Sequence, residues 1–378
     1  MSEITVDGRQ GSAGPSLLEQ EIPLQPMVLE RAQAAFAGPV AELMRQASKR
    51  SVDDWVVTGC GDSFFAGLCA EVWFARRARR RLRPVHAMQL SRETYHALSP
   101  TSLVFAVSHS GTTARVIEAA RAARAQGAFL VAVTSDGASA LAQSADLWID
   151  NCVRAERSNC RTASFQAVSL FMRMVADALA AISGESHRPA RVGELEPYVD
   201  ESRQQVGRLA DGVLTGDHWV FTGSGLGLAA AEYGKAKCYE AATVAAHCVE
   251  LEQFVHCEIF TVRPETRVMM VASTGRASSR ARELAGGLGE LGAVTLAVTD
   301  DDQLAAAVDH AVLLPAGMHE DDLPFFAALP LQWMALRMAL LRGEDPDRVA
   351  NKSVNRPLID DSVLWEPPGD GRNTLVQA

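Results

Sequence analysis

The sequence predicts an α/β fold of two tandem domains, each a doubly wound parallel sheet flanked by helices in three layers. An internal repeat is the first reason: Trp55-Val-Val-Thr-Gly-Cys-Gly returns as Trp219-Val-Phe-Thr-Gly-Ser-Gly, about 164 residues later. The second is that the repeated segments are short, almost wholly apolar runs, typical of parallel strands buried on both faces. The third is that amphipathic stretches, such as residues 113–126 and 278–291, separate these runs.

Three more pairs of segments keep nearly the same offset. Leu103-Val-Phe-Ala-Val-Ser matches Val268-Met-Met-Val-Ala-Ser, and Phe129-Leu-Val-Ala-Val-Thr matches Val294-Thr-Leu-Ala-Val-Thr. The weaker pair is Leu147-Trp-Ile and Val312-Leu-Leu. Because strands alternate with helices in each copy, we expect βαβ units and one parallel sheet per domain.

The repeat divides the chain into four parts. Residues 1–48 form an N-terminal segment that is mainly helical over 18–48, and residues 49–190 form the first domain, which we expect to bind phosphate. Residues 191–345 form the second domain, closed by a helix over 323–341, and residues 346–378 form a tail that carries Lys352. The stretch from Pro367 onward is predicted to be a loose tail or a partner-contacting arm.

Composition narrows the function classes. The 378 residues are 48% hydrophobic with a formal net charge of -10, which argues against non-specific binding to nucleic acid or an anionic membrane. Neither a membrane-spanning window nor a secretory signal is recognised, so a cytoplasmic location is expected. The seven cysteines lack zinc-ligand spacing and are expected to be reduced and mostly buried, and the arginine-rich stretch 76–83 is interpreted as a solvated face.

Two hydroxyl-rich loops follow the first two repeated strands of the first copy. One contains Cys60, Gly61, Asp62 and Ser63, and the other contains Ser108, His109, Ser110 and Thr113. Ligands of an open parallel sheet bind beyond the carboxyl ends of its strands, where helix N-termini favour anions. Ordinary helix capping is the alternative for either loop alone, but the two loops together predict a phosphate site.

Other ligand classes have little support. Neither a complete G-x-G-x-x-G nor a Walker-type loop is present, so we do not expect a nicotinamide or another nucleotide cofactor. We also expect no other cofactor and no metal. The second copy keeps Gly223 and Gly225 but reads Ser273-Thr274-Gly275-Arg276 in its second loop, which predicts a single working anion site. Lys237 and Glu240 share one face of a helix over 227–242, where a surface ion pair is the plainer interpretation.

In combination, these motifs resemble a known family. The two copies are similar to the sugar-isomerase (SIS) domains of the isomerase half of glucosamine-6-phosphate synthase and its shorter relatives. The resemblance extends from Glu21 to Val354. It rests on six motifs: Gly59-Cys-Gly-Asp-Ser63, Ser108-His-Ser-Gly-Thr-Thr113, Lys237-Cys-Tyr-Glu240, His256, Pro330-Leu-Gln332 and Asn351-Lys-Ser-Val354.

The resemblance implies a role for each matched residue. Ser63, Ser108, Ser110 and Thr113 fall on phosphate-binding hydroxyls, and Glu240 falls on the carboxylate that moves a proton between the first two sugar carbons. Lys237 is its neighbour. His256 falls on the ring-opening histidine, which can reach the site of a partner subunit, and Lys352 on a lysine near the first carbon. A glutaminase domain is not expected, so ammonia transfer from glutamine is not predicted.

Elementary chemistry agrees with these roles. A carboxylate beside a lysine is expected to stay ionised and act as a base, and a histidine can pass a proton during ring opening. Departures from the family pattern also occur. His109 and Asp62 replace neutral polar residues, and Cys257-Glu258 replaces Gly-Pro after His256. A negative Asp62 would weaken phosphate binding unless its side chain points away or caps the helix.

The leading hypothesis is a hexose 6-phosphate isomerase or an aminosugar-phosphate deaminase, acting by ring opening and proton transfer between C1 and C2. Glu258 or Glu252 is a candidate to activate the water of a deamination. The alternatives are a fructosamine-phosphate deglycase, an isomerase of a sulfonated or specialised sugar, and a non-catalytic sugar-phosphate sensor. The expected partners are a small sugar phosphate and a second copy of the chain, in a homodimer with shared active sites.

Overall fold

Two parallel five-stranded sheets form the centre of the structure, a computed structural model that describes residues 14–154, 156–360 and 362–365. The first sheet has the order β2-β1-β3-β4-β5 and the second β7-β6-β8-β9-β10, so the two copies share one topology. The strands are β1 (Asp54–Gly59), β2 (Leu82–His86), β3 (Ser102–Val107), β4 (Phe129–Thr134), β5 (Leu147–Asp150), β6 (Trp219–Gly223), β7 (Ala246–Glu250), β8 (Arg267–Val271), β9 (Val294–Thr299) and β10 (His310–Leu313).

Helices cover both faces of each sheet. The α-helices are α1 (Leu17–Glu21), α2 (Gln25–Lys49), α3 (Asp62–Trp73), α4 (Ala87–Gln89), α5 (Ala114–Ala125), α6 (Ala140–Ser144), α7 (Ala163–Ile182), α8 (Leu195–Gly207), α9 (Asp211–Leu214), α10 (Leu226–Ala242), α11 (Leu251–His256), α12 (Ser278–Glu290), α13 (Asp302–Ala307), α14 (Leu323–Arg342) and α15 (Lys352–Asp360). The predicted three-layer α/β architecture is confirmed. The prediction for the stretch from Pro367 onward falls outside the described residues.

The strands β2 and β7 were not predicted, although they lie at the same repeat offset as their neighbours. Their register repeats: Trp55 pairs with Leu82 in the first sheet, and Trp219 pairs with Ala246 in the second. Both are edge strands, and β2 contains a proline. Neither strand has the continuous apolar run that is typical of a central strand. Their pairing depends on the neighbouring strand more than on their own composition.

The turn after the first strand of each copy requires glycine. Gly61 has φ 53° and ψ −129°, and Gly225 has φ 55° and ψ −120°, a conformation that side chains with a Cβ rarely adopt. A Cβ at Gly59 would lie 2.7 Å from Ser63 Cβ, and one at Gly223 would lie 2.5 Å from the carbonyl carbon of Gly227. The repeat is therefore preserved in backbone conformation as well as in topology.

The helices α3 and α10 pack against each other in opposite directions across the domain boundary. The start of α10 faces the end of α3, since a Cβ on Gly225 would lie 3.5 Å from Arg76 Nη2. The start of α3 faces the end of α10, because Asp62 bonds Lys237. One apolar core continues through both domains, and the stacked rings of Trp73 and Phe325 lie within it. This packing places the loop after β1 against α10, and the loop after β6 against the end of α3.

Two helices meet the length and composition of a membrane span, which corrects the expectation that no such window exists. They are α7 and the segment 320–342 containing α14, with windows that are 67% and 89% buried inside the protein. The helix α7 packs against α2 and α3, and α14 packs against α10 and α8. Their apolar surface is covered by the shared core of the two domains.

The arginine-rich stretch matches its prediction as a solvated face only in part, because Arg79, Arg80 and Arg81 are exposed and Arg77 is not. Arg77 is only 4% exposed and donates to Asp321 Oδ2 at 2.6 Å, across the domain boundary. Arg173 and Asp322, 1% and 0% exposed, form a second buried ion pair at 2.5 Å. The segment Glu320–Asp322, which precedes α14, therefore ties the second domain to the first through charge as well as through apolar packing.

The cysteines are all free thiols, as predicted, but fewer are buried than expected. Cys69, Cys160 and Cys238 are buried, whereas Cys60 and Cys257 are exposed. The expectation that most of them are buried was wrong because both exposed thiols lie in loops at strand or helix ends, where the backbone turns toward solvent.

Asp322→Ala is expected to destabilise the protein by about 3–5 kcal/mol, because it leaves the buried Arg173 guanidinium without its carboxylate. Urea denaturation followed by circular dichroism would measure this loss. The matched control is Asp217→Ala, whose carboxylate is 88% exposed and pairs with Arg342; it should change stability little, because solvent screens such a pair. Equal losses of stability in the two variants would contradict a stabilising role of the buried ion pair between Arg173 and Asp322.

Candidate active site

A cavity of about 380 Å³ lies beyond the carboxyl ends of β1 and β3. This end of the first sheet faces the second domain. Its wall combines the two hydroxyl-rich loops, the segment before α7, the end of α10, and α15. All eight residues predicted for phosphate binding line it: Cys60, Gly61, Asp62, Ser63, Ser108, His109, Ser110 and Thr113. Glu240 borders the same cavity.

The first loop presents the start of α3 to the cavity. Gly61 occupies the N-cap position and supplies no side-chain cap, so the backbone N–H groups of Asp62 and Ser63 are available to an anion, whereas that of Phe64 donates to the carbonyl oxygen of Gly61. Cys60 lies beside this turn; although the residue is exposed at the surface, surrounding protein atoms partly shield its sulfur from water and raise the pKa of the thiol, with a smaller opposing effect from Arg115. The thiol is therefore neutral and adds no negative charge to the predicted phosphate site.

The second loop is held by its own hydroxyl groups. Ser108 Oγ and Thr113 Oγ1 lie 2.9 Å apart, and Ser110 Oγ lies 2.8 Å from Thr112 Oγ1. Gly111 has φ +69°, and a Cβ there would lie 2.1 Å from Ser139 Oγ. Thr113 is the N-cap residue of α5, but its side chain makes no capping bond. The alternative of ordinary side-chain capping is therefore not realised in either loop.

His109 is a neutral member of this wall. Its Nδ1 lies 3.1 Å from Asn151 Nδ2, and burial lowers the pKa of its imidazole, with a further lowering by the positive charge of Arg161. The ring thus offers hydrogen bonding to a ligand without a full positive charge.

Lys237 lies beneath the cavity, where it joins the two domains. Its side chain is 1% exposed, and its Nζ donates to Asp62 Oδ2 at 2.7 Å and to Glu240 Oε2 at 2.5 Å. The interpretation of Lys237 and Glu240 as a surface ion pair was therefore wrong. The expected conflict between Asp62 and a bound phosphate is reduced, because the Asp62 carboxylate points to a cation inside the protein.

The ionisation of Glu240 corrects another expectation. We expected the neighbouring lysine to keep this carboxylate ionised at an ordinary pKa. Burial instead raises the pKa of Glu240 to about 7, assisted by the negative charge of Asp62 and opposed by Lys237. Burial outweighs the ion pair because Lys237 is shared with a second carboxylate. A carboxyl group with this pKa exchanges protons readily near neutral pH.

A buried amide network supports this arrangement from behind. Gln25 on α2 contacts both Gln166 and Gln332, and Gln332 Nε2 donates to the hydroxyl of Tyr233 at 2.8 Å. That hydroxyl donates to the carbonyl oxygen of Arg161 at 2.8 Å. The same carbonyl accepts from Lys237 at 3.2 Å. Elements of both domains therefore hold the lysine in a single place.

Sequence reasoning missed three guanidinium groups that line the cavity, those of Arg115, Arg161 and Arg356. Arg115 follows the second loop in the first turn of α5, so its closeness to that loop could have been recognised from the sequence. Arg161 and Arg356 come from segments whose approach to the cavity depends on tertiary packing. Each of the three is close to a carboxylate: Glu118, Glu156 and Asp360 respectively.

The C-terminal arm, residues 349–360 and 362–365, covers one side of the cavity. Residues from Val349 to Asp360 contribute to its wall, and Asp360 accepts from Thr112 Oγ1 at 3.3 Å. Beyond α15, the backbone N–H of Trp365 donates to the buried Glu118 at 2.9 Å. Lys352, however, begins α15 as an exposed residue and does not line the cavity. The structure does not bring Lys352 together with Glu240.

His256 is also separate from the cavity of its own chain. It ends α11 with a side chain that is 70% exposed, and its Nε2 lies 3.3 Å from Glu252. Glu252 is itself paired with Arg280, and neither Glu252 nor Glu258 lines the cavity. The structure therefore does not bring His256 together with Glu240 within one chain.

The corresponding region of the second domain is occupied by the chain itself. Gly275 corresponds to Gly111, and a Cβ on it would lie 3.1 Å from Cδ of Glu320. The Glu320 carboxylate accepts from Arg276 at 2.7 Å and from Arg76 at 3.0 Å. Arg76 lies one repeat, about 164 residues, before Glu240. An internal ion cluster thus occupies the place that the cavity takes in the first domain.

Within residues 14–154, 156–360 and 362–365, no group of three or more His, Cys, Asp or Glu side chains has an arrangement that could hold a metal ion. The arrangement described above brings hydroxyl groups and helix N-termini to one end of a cavity, and a carboxyl group with a pKa near 7 to its border. Chemically, it can hold an anion and exchange a proton with a bound molecule.

The SIS domain family model matches residues 50–181 and 216–342, so the chain belongs to the SIS domain family. The glutamine–fructose-6-phosphate aminotransferase (isomerizing) of Thermococcus kodakarensis is 23% identical over 365 residues, which are 93% of this chain and 60% of the relative. This chain thus spans less than two thirds of the length of that relative. The predicted family resemblance is confirmed.

Solved structures share the fold. The glucosamine-6-phosphate deaminase of Thermotoga maritima superposes with a TM-score of 0.72 at 23% identity, covering 89% of this chain and 98% of its own. The tagatose-6-phosphate ketose/aldose isomerase of Escherichia coli superposes with a TM-score of 0.73 at 20% identity, covering 89% and 96%. These similarities extend over both domains.

Glu240→Gln is expected to gain stability relative to the wild type as the pH rises. The pKa of Glu240 is raised from 4.5 to about 7 on folding, so the wild type loses stability between these pH values, because the carboxyl ionises in the unfolded chain while the buried one keeps its proton. Glutamine has no such loss, and the difference should grow by roughly 2 kcal/mol between pH 5 and pH 8. Urea denaturation at both pH values measures it.

The control for this comparison is Glu265→Gln, which removes an exposed carboxyl group from a loop. It should show no comparable growth with pH. A constant difference between Glu240→Gln and the wild type at pH 5 and pH 8 would contradict the raised pKa of Glu240.

Proposed function

We propose that this chain binds the open-chain form of a hexose 6-phosphate and moves a proton between C1 and C2, as an aldose–ketose isomerase or an aminosugar-phosphate deaminase. The observation that carries the proposal is that one cavity joins the eight predicted phosphate-site residues to Glu240. Its volume of about 380 Å³ lies within the usual range of small-ligand pockets.

The phosphate group is placed at the two hydroxyl-rich loops. Ser63, Ser108, Ser110 and Thr113 offer hydroxyl groups there, and the starts of α3 and α5 offer backbone N–H groups and a favourable helix dipole. Arg161, which lines the same cavity, adds positive charge. Anchoring the phosphate at this end directs the sugar carbons toward the second domain.

The proton transfer is assigned to Glu240. Its carboxylate accepts the proton from C2 of the open-chain aldose, and the electron pair of that bond forms an enediolate between C1 and C2. A proton passes from the C2 hydroxyl to the C1 oxygen, the same carboxyl returns its proton to C1, and the electron pair on the C2 oxygen forms the ketone. A pKa near 7 suits both directions of this exchange, because neither protonation state is strongly favoured. An amino group at C2 would instead leave as ammonia after addition of water.

The two remaining predicted residues lie outside the cavity and would reach it in different ways. His256 is exposed, and neither it nor Lys352 lines the cavity of its own chain. We place His256 at the cavity of a partner subunit in a symmetric homodimer, where it would move the ring-opening proton. Lys352 would approach the first carbon by a movement of the arm that already covers the cavity.

The comparisons support the sugar-phosphate class. The relatives named above are, by their names, a fructose-6-phosphate aminotransferase, a glucosamine-6-phosphate deaminase and a tagatose-6-phosphate isomerase. A cytoplasmic location agrees with the seven free thiols, since thiols stay reduced in that compartment.

Glu240→Gln should abolish turnover, by at least about 100-fold, and should still bind the substrate, because only the proton acceptor is lost. Turnover is measured as fructose 6-phosphate and glucose 6-phosphate interconversion, and as ammonia release from glucosamine 6-phosphate. Binding is measured by thermal shift with each sugar phosphate and with the matching unphosphorylated sugar as control.

The outcomes separate the alternatives. Interconversion of the hexose phosphates without ammonia release identifies an isomerase, and ammonia release identifies a deaminase. Binding of sugar phosphates by a wild type that turns over none of them would overturn the catalytic proposal in favour of a sensor. Undiminished turnover by Glu240→Gln would remove this residue from the mechanism.

Mixing two inactive variants tests the shared site. When Glu240→Gln and His256→Ala subunits are mixed and allowed to exchange, a mixed dimer has one site with both lesions and one intact site. Random assortment should restore about a quarter of the wild-type activity. Each variant alone, taken through the same exchange, is the control, and a mixture that stays inactive after proven exchange would contradict sharing between subunits.

A further inference from the structure

Asp62 is the feature of the site that the family resemblance does not account for. It is the first residue of α3, it lines the cavity, and its Oδ2 accepts from Lys237 Nζ at 2.7 Å. The resemblance implies a neutral polar residue at this position. The structure therefore contains a second buried carboxylate where the proton-transferring site needs only one.

The two carboxylates compete for a single cation. Because Asp62 and Glu240 both lie within hydrogen-bond distance of Lys237 Nζ, their bonded oxygens are no more than about 5 Å apart. The Lys237 side chain is 1% exposed, so water does little to screen either pair. One positive charge cannot fully compensate two negative charges at this depth, and a proton on one of the carboxylates relieves the difference.

Glu240 is the better placed of the two to take that proton from a ligand. Its side chain is 29% exposed, whereas that of Asp62 is 13% exposed. The other oxygen of Asp62, Oδ1, is buried and has no hydrogen-bond partner among the described residues, so Lys237 is the main group that holds this carboxylate. Asp62 therefore depends on Lys237 for its place, and its charge lies beside both Lys237 and Glu240.

We propose that Asp62 is a positioning residue that sets the proton affinity of Glu240 by sharing the Lys237 ammonium group with it and by adding a second negative charge beside it. With Lys237 devoted to Glu240 alone, the carboxylate would be a weaker base and would hold the transferred proton less readily. With Lys237 shared, Glu240 can accept the proton and return it. This inference rests on the proposed function for its catalytic meaning, but its electrostatic content concerns Glu240 in the free protein.

Other charged and titratable groups face Glu240 from each neighbouring element. On α10 they are Lys237, Tyr233 and Cys238, on α3 Asp62, and before α7 Cys160 and Arg161. The groups that share the cavity wall from the other side are Arg115, Arg356 and Asp360. Among the charges that act on the pKa of Glu240, that of Asp62 is the largest that raises it, second to burial as a raising cause.

Asp62→Asn tests the proposal with little change of shape, because the amide oxygen can still accept from Lys237 while the charge is lost. The titration of Glu240 is followed by NMR of protein labelled with ¹³C at the glutamate carboxyl groups, and its signal is assigned by its absence from Glu240→Gln. The pKa of Glu240 is expected to fall by about one unit or more, since a repelling charge is removed. The acidic limb of the kcat/KM profile should move to lower pH with it.

The matched control is Asp54→Asn, which removes a partly buried carboxylate of the same domain that pairs with Arg83 outside the cavity. It should leave the Glu240 titration unchanged. Circular dichroism and the thermal midpoint establish that each variant is folded, and Asp62→Ser takes the place of Asp62→Asn if the latter fails to fold.

The two failures are distinguishable. An unchanged Glu240 titration in a folded Asp62 variant overturns the positioning role, even if that variant loses activity. A lowered pKa in a protein whose wild type turns over no sugar phosphate upholds the link between Asp62 and Glu240 and overturns the proposed function instead.

Discussion

The buried ammonium group of Lys237 is the interaction on which the rest of the site depends. It lies between Asp62 of the first domain and Glu240 of the second, and it also donates to the carbonyl oxygen of Arg161. Its position follows from the opposed packing of α3 and α10, which places the start of one helix against the end of the other. Because this contact crosses the domain boundary, the proton-accepting group and the anion-binding loops form one site only in the assembled pair of domains.

The two copies share one architecture, and electrostatics distinguishes them. Both keep the strand order, the positive-φ glycine after the first strand and the position of the following helix. In the first copy, the loops border an open cavity beside Glu240. In the second, Glu320 occupies the corresponding place and is held by Arg76 and Arg276. One repeat thus serves ligand binding in our proposal, while the other contributes to the interface between the domains.

Much of the fold could be predicted because buried parallel strands have a distinctive composition. The apolar runs that became β1, β3, β4 and their counterparts were recognised, and the helix predicted over 278–291 was found as Ser278–Glu290. The edge strands β2 and β7 were missed because their hydrogen-bonding partners, and not their own sequences, make them strands. Within the arginine-rich stretch, Arg77 departs from the predicted solvated face for a related reason: it is buried against Asp321, about 240 residues away along the chain.

By itself, the sequence determined the repeated α/β architecture, the family, and the two loops whose residues line one cavity. Hydrophobic periodicity, turn glycines and clusters of hydroxyl residues are local properties that can be recognised from neighbouring residues alone. Only the tertiary structure decided the ionisation of Glu240, the burial of Lys237, the contribution of Arg161 and Arg356 to the cavity, and the separation of His256 and Lys352 from it. These properties depend on distances between charges and on exclusion of water, and both are set by residues far apart along the chain.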